Sequence, residues 1–218
     1  MVNDPIIVTK SAGPAAGMTK LHQRFLSALA MITAAIGCAW AGGAVFAALV
    51  LAVGCVMLWE WTRMVGVSDA ERMQFTVVGV GSLLIAASSV FTGLLASSVA
   101  TIPLGLIAVW LFRPRLLGIG ILYVTVPLML LIWLRGDETA GFIAIAFLFS
   151  IVWATDTFAM VTGKLVGGPP LWPSVSPNKT WAGAVGGLLG GATLGSAIAV
   201  FAVAPDHWLF GLVAGCLL

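Results

Sequence analysis

Three charged side chains and a group of hydroxyls and amides stand between two long apolar stretches of this chain, in DTFAMVTGKLVGGPPLWPSVSPNKTWAG, residues 156–183. Asp156 ends the apolar run GFIAIAFLFSIVWAT, and a carboxylate at that depth is costly unless it is paired, hydrated or bound to a cation. Lys164 lies in a Gly-flanked stretch and Lys179 within SPNKT. An ammonium group is a mobile point charge suited to phosphate oxygens, and glycine lets a ligand approach the backbone closely. Ser176 or Asn178 can start a turn, Pro177 fixes φ, and Thr180 can cap a helix beginning at Trp181. With that helix N-terminus pointing inward, its free N–H groups, the Thr180 hydroxyl and Lys179 would form an anion site. The plainer readings are a solvated helix-end Asp, two lysines lying among headgroups, and a simple re-entry turn. GKL is not a phosphate-binding P-loop, because the G-x-x-x-x-G-K-[ST] spacing and a preceding strand are both missing.

The elements that must position these residues follow from composition. The chain is 61% hydrophobic and 8% charged, with a mean hydropathy of +1.11, the signature of an all-α polytopic transmembrane bundle. Its apolar runs are continuous and do not alternate, which argues against a β-barrel. Cutting at charges, Gly and Pro gives spans near 25–41, 44–60, 75–92, 94–111, 116–134, 140–159 and 183–203, with another from 208, so about seven to eight. Residues 1–17 read as a loose tail and 18–218 as a single transmembrane domain. With a cytoplasmic N-terminus, Lys10, Lys20, Arg24, Arg63, Arg72, Arg113, Arg115, Lys164 and Lys179 fall inside and only Arg135 outside. The outer loops then hold Asp137, Glu138 and Asp206, and the polar segment 160–182 faces the cytoplasm. A net charge of +2, scattered along the chain, gives no support to nucleic-acid binding. Cys38, Cys55 and Cys216 sit in apolar runs and read as small buried or lipid-facing residues, not as a disulfide or metal set. GGLLGG and its neighbouring glycines read as close helix packing, within the chain or in a homodimer.

The order D-x-x-A-x-x-x-G-K…L-x-P-x-V-S-P-N-K-T-W-x-G, from Asp156 to Gly183, resembles the phosphatidate cytidylyltransferase family. Looser similarity lies at LHQRFLSAL (21–29), at Glu60-Trp61 and at Leu122-Tyr123-Val124. The resemblance implies an inner-membrane enzyme, its site facing the cytoplasm, that joins CTP to phosphatidic acid among membrane lipids with Mg²⁺ as cofactor. It implies Asp156 as a metal-supporting carboxylate and Lys164 and Lys179 as phosphate contacts. Ser176 and Thr180 would donate hydrogen bonds to phosphoryl oxygens, with Pro177 and Asn178 shaping their turn.

Departures from the family pattern are Phe158-Ala159-Met160 after the Asp pair, Trp181-Ala182-Gly183, and Pro170 where a basic residue is common. The family's C-terminal signature does not occur here, so the expectation is a chain truncated before that catalytic part, its own activity in question. A CDP-alcohol phosphotransferase would need clustered Asp residues, whereas Asp4, Asp69, Asp137, Asp156 and Asp206 are far apart. The alternatives are a CTP-dependent lipid or polyprenol kinase and a small-molecule membrane transporter. The transporter reading is weakened because Glu60 and Asp156, near span ends, are the only charges within the spans.

Overall fold

A computed structural model describes residues 14–112, 115–202 and 208–217, with side chains described at 26–112, 115–201, 209 and 212–217. Lys10, Arg113, Asp206 and His207 lie outside the described residues, as do the side chains of Lys20, His22 and Arg24. Eight helices run in order: α1 (Pro14–Ala41), α2 (Gly43–Val65), α3 (Asp69–Ala87), α4 (Ser89–Leu111), α5 (Leu116–Arg135), α6 (Gly141–Leu165), α7 (Trp181–Ala202) and α8 (Trp208–Leu217). Between α6 and α7 stand two short strands, β1 (Pro170–Trp172) and β2 (Ser176–Thr180).

The protein is thus an all-α bundle of membrane-spanning character, and its helices arise where the apolar runs do. Five of them, α2, α4, α5, α6 and α7, are long and apolar enough to cross a bilayer. Helix α3 instead opens on Asp69, Glu71 and Arg72, and α8 has ten residues. The start of α3 is set by a capping box: Glu71 N donates to Ser68 Oγ at 3.4 Å, and Ser68 N donates to a Glu71 carboxylate oxygen at 2.9 Å. Helix α2 stops at Gly66, whose φ of 68° costs glycine nothing. The α1–α2 and α3–α4 connections are single residues, Gly42 and Ser88; the first falls between the spans read as 25–41 and 44–60, whereas the second breaks the stretch read as one span over 75–92. Helix α1 begins at Pro14, inside the stretch read as a tail.

Two kinds of packing hold the bundle. Helices α2 to α5 interlock through bulky side chains, with Leu58, Phe75, Leu83, Leu117, Ile121 and Val124 buried together. Trp61 is half-buried, donates from Nε1 to the Leu116 carbonyl at 3.0 Å, and lies so close to Gly120 that a Cβ there would be 2.3 Å away. Phe46, Val50, Ile132 and Ile145 continue the core towards α6.

Helices α6, α7 and α8 pack through missing side chains. Thr155, Phe158, Ala159, Thr162 and Gly163 of α6 meet Gly183, Gly186, Gly187, Gly190 and Gly191 of α7, each set following the 3–1–3–1 spacing of one helix face. At the far end Gly191 lies against Gly215 of α8, where a Cβ would sit 2.2 Å from the Gly191 carbonyl oxygen. The glycine faces expected to pack closely are therefore occupied within one chain.

The seam predicts a contrast between two glycines. Gly191→Leu must push against Thr155 Oγ1 at 2.4 Å and the Gly215 carbonyl at 2.8 Å, and should cost about 1–3 kcal/mol. Gly81, on α3 with open space around its Cβ position, should accept Ala at no cost or gain up to about 1 kcal/mol. Thermal unfolding in detergent measures both, and equal melting temperatures would show that the seam does not hold the helices.

Candidate active site

The polar segment is built from the C-terminal end of α6, a hairpin, and the N-terminal end of α7. Helix α6 was expected to end near residue 159, yet it runs on to Leu165, because Met160, Val161 and Thr162 break nothing and Gly163 is needed by its neighbour. The turn out of the helix comes at Gly167 and Gly168, with φ of 66° and 99°, a conformation open to glycine and hardly to any other residue. In place of an irregular loop, β1 and β2 then pair antiparallel, with Pro170 opposite Thr180 and Trp172 opposite Ser176. The hairpin is tied off where Trp181 N donates to the Pro169 carbonyl at 3.2 Å.

Thr180 is the hinge of this arrangement. Its Oγ1 accepts from Gly183 N at 3.1 Å, capping α7 as its residue type suggested. The same oxygen lies 3.2 Å from where a Gly163 Cβ would be, so the hairpin end rests on the last turns of α6. Thr162 adds a second tie, donating to its own helix at Phe158 O (2.7 Å) and lying 3.2 Å from Ala182 O across the seam.

These contacts divide the motif into two parts. Ala159, Gly163 and Gly183 serve packing: a Cβ on Gly183 would lie 2.9 Å from the Ala159 carbonyl. Gly163, read as permitting ligand approach, instead makes room for Thr180 and α7. Asp156, Lys164 and Lys179 are exposed, and among the described residues none makes a side-chain hydrogen bond or ion pair. Because Gly163 touches Thr180, their sequence neighbours Lys164 and Lys179 come to the same end of the α6–α7 pair. Asp156 stands about 12 Å back along the α6 axis from Lys164, two turns deeper. Pro177 and Asn178 are exposed on β2, whereas Ser176 is half-buried against β1.

A divalent cation such as Mg²⁺ keeps several waters and takes one or two carboxylates together with substrate phosphates. Asp156 can supply one such ligand, and the described residues hold no group of three His, Cys, Asp or Glu that could bind a metal. The described residues offer no all-protein cage; what they fit is a single carboxylate beside a phosphate-bound ion.

The sequence matches the model of the cytidylyltransferase family over residues 22–218. The chain belongs to that family. It is 33% identical to the phosphatidate cytidylyltransferase of Brucella melitensis over 200 residues, covering 88% of this chain and 72% of that protein. It is 32% identical to the phosphatidate cytidylyltransferase of Brucella abortus over the same shares. The phosphatidate cytidylyltransferase of Rickettsia bellii is 41% identical over 71 residues, 33% of this chain and 30% of that protein. No solved structure matches the chain.

The family's resemblance motif gave no sign of the hairpin, of the Thr162 tie or of Trp61 as an internal clamp. A signal for the clamp was present in the Gly118-x-Gly120 spacing on α5, where both glycines meet another helix. The Thr180 cap is testable apart from any activity. Thr180→Val should cost about 1 kcal/mol and speed amide exchange at Gly183, while Thr180→Ser should restore both. Unchanged exchange in the valine variant would show that Thr180 does not start α7.

Proposed function

We propose that this protein is a nucleotidyltransferase that moves CMP from CTP onto phosphatidic acid, giving CDP-diacylglycerol and pyrophosphate. The observation that carries the reading is the contact of Thr180 with Gly163, which joins the two halves of the family motif and gathers its lysines at one end of α6 and α7. The named relatives, matched over most of the chain, support the substrate pair.

In this reaction a phosphatidate oxygen forms a bond to the α-phosphorus of CTP while the bond from that phosphorus to the α–β bridging oxygen breaks. The electron pair leaves with pyrophosphate. The chain's share is alignment and charge neutralisation. Lys164 and Lys179 serve as phosphate contacts on either side of the Gly163–Thr180 joint. Ser176 donates a hydrogen bond to a phosphoryl oxygen, and Pro177 and Asn178 keep Lys179 at the exposed middle of β2. Thr180 Oγ1 already accepts from Gly183, and its proton is left for a phosphate. Asp156 offers one carboxylate to a divalent ion carried in by the triphosphate. The bias of basic residues towards one side supports a position of this end of the bundle at the cytoplasmic face of a bacterial inner membrane.

Protein reconstituted with phosphatidic acid vesicles and CTP labelled at either the α- or the γ-phosphorus tests the proposal. Label from the α-position should appear in lipid, whereas lipid labelled only from the γ-position would mean a kinase. Lys179→Ala should lower the rate roughly 10²-fold, the loss expected for one preorganised phosphate contact. Asp156→Asn should raise the Mg²⁺ concentration needed for half-maximal rate. Unchanged turnover in both variants would remove the two residues from the site.

A further inference from the structure

At the opposite end of the bundle, a cavity of about 700 Å³ opens among three interhelical turns. It falls within the roughly 300–1,000 Å³ range of small-molecule sites. Its walls come from the α1–α2 turn, the start of α4 and the α5–α6 turn. Gly141, at its edge, and Lys164 are separated by about 35 Å along α6, which is a bilayer thickness. The cavity is therefore remote from the site described above and does not depend on that site's assignment.

The break that opens it is at Gly93. Its φ of 79° and ψ of 167° interrupt α4 after a single turn, so the segment from Ser89 is not packed as a continuous helix. Ser89 is 5% exposed, lines the cavity, and has no hydrogen-bond partner for its Oγ among the described residues. Its neighbour Ser88 already donates to Ile85 O at 2.6 Å, the carbonyl that Ser89 would use one turn back.

Arg135 supplies a fixed positive charge on the same wall. Its Nε donates to Ala39 O and its Nη2 to Trp40 O at 3.0 Å. The guanidinium lies over Gly42, where a Cβ would be 2.5 Å from Nη2. No carboxylate pairs with Arg135 among the described residues, and two of its five N–H donors are used on the carbonyls. On the rim, Asp137 accepts from Thr139 N, Thr139 Oγ1 and Ala140 N, which closes the α5–α6 turn. Those bonds hold its carboxyl below the usual range and keep it ionised at neutral pH. Glu138, also lining the cavity, makes no such bond and is exposed. The remaining wall is apolar, with Phe46, Val90 and Ile132 among its residues. Trp40 and Trp133 flank this end with 74% and 49% exposure, the placement of side chains at a membrane interface.

A fixed cation with spare donors, an unpartnered buried hydroxyl, a free carboxylate and an apolar wall at interface level together describe one kind of occupant. We propose that this cavity binds the headgroup of a zwitterionic aminophospholipid, its phosphate on Arg135 and on Ser89 once that buried hydroxyl turns into the cavity, and its ammonium at Glu138.

Native mass spectrometry of the full chain in detergent, incubated with phosphatidylethanolamine, phosphatidylglycerol or inorganic phosphate, tests this. One phosphatidylethanolamine should be retained, roughly fivefold over phosphatidylglycerol, as a single partly exposed ion pair supplies. Inorganic phosphate should not displace it. Ser89→Leu, which removes the hydroxyl and takes up part of the cavity beside Arg135, should lower retention roughly tenfold. Glu138→Gln, at an exposed side chain with no hydrogen bond among the described residues, should abolish the preference between the two lipids. The proposal is overturned by equal retention of both lipids in the unaltered protein, by displacement with phosphate, or by an undiminished preference in Glu138→Gln.

Discussion

Two apolar helices in a bilayer gain nothing by turning apolar faces towards each other, since lipid tails already surround them. What brings them together is the contact that remains when side chains are removed. The seam between α6 and α7 is built on that constraint, with five glycines of α7 facing Thr155, Phe158, Ala159, Thr162 and Gly163 of α6. Its consequence reaches the polar segment directly. Only because Gly163 has no side chain can Thr180 rest on α6, and only because Gly183 has none can the first turn of α7 pass the Ala159 carbonyl. The lysines are thereby presented from a rigid joint between two helix ends and not from a free loop. Phosphoryl transfer asks chiefly for positioning and charge, so a joint of this kind suits it.

The other half of the bundle solves the same problem differently. Around Phe75, Leu117 and Ile121, large side chains interlock, and the few polar atoms act as latches between helices. Trp61 reaches a carbonyl of α5, and Arg135 reaches two carbonyls at the end of α1. Arg135 satisfies backbone oxygens at the C-terminal end of α1, where intrahelical partners run out, whereas Trp61 adds a second donor to a carbonyl in the first turn of α5. Both also need a glycine opposite, Gly120 for the indole and Gly42 for the guanidinium. Glycine is thus the recurring partner throughout the molecule, opposite a helix in one half and opposite a polar head in the other.

Much of this was legible in the residues. Continuous apolar runs argue against strands in a bilayer, so the helices and the tight turn at Gly42 followed from composition and punctuation, whereas the turn at Ser88 did not, since that residue lay inside the span read as 75–92. The Thr180 cap followed from residue type, and the close-packing role of GGLLGG from size alone. The hairpin did not follow, because β2 contains Pro177 and four polar residues, and β1 starts on Pro170. Nothing in that composition favours a strand. The pairing exists because α6 and α7 hold its ends near each other, a tertiary cause that no local pattern records. The extension of α6 to Leu165 was hidden for a related reason: Thr162 and Gly163 look like loop residues until α7 is placed against them. Arg135 read as a lone outer-loop charge, since the carbonyls that fix it lie about a hundred residues earlier in the chain.

Hydroxyl groups show how far local satisfaction reaches and where it stops. In a helix, Ser and Thr ordinarily return their proton to a carbonyl three or four residues back, as Thr33, Thr62, Ser82, Ser97, Thr125 and Ser196 do. A group that does so is neutral towards its surroundings and carries no information about a ligand. Three described hydroxyls depart from this, Ser89, Thr101 and Thr155, each buried and unpartnered. Thr155 Oγ1 points at the Gly191 backbone, where a Cβ would lie 2.4 Å away, so its site is filled by protein. Thr101 is fully buried and does not line the cavity at Ser89. Ser89 stands on the wall of that cavity beside the break at Gly93, although its Oγ is itself buried. An unsatisfied donor inside packed protein is a cost the fold carries, whereas the same donor one side-chain rotation from a cavity with a fixed guanidinium is a cost that a phosphate can relieve.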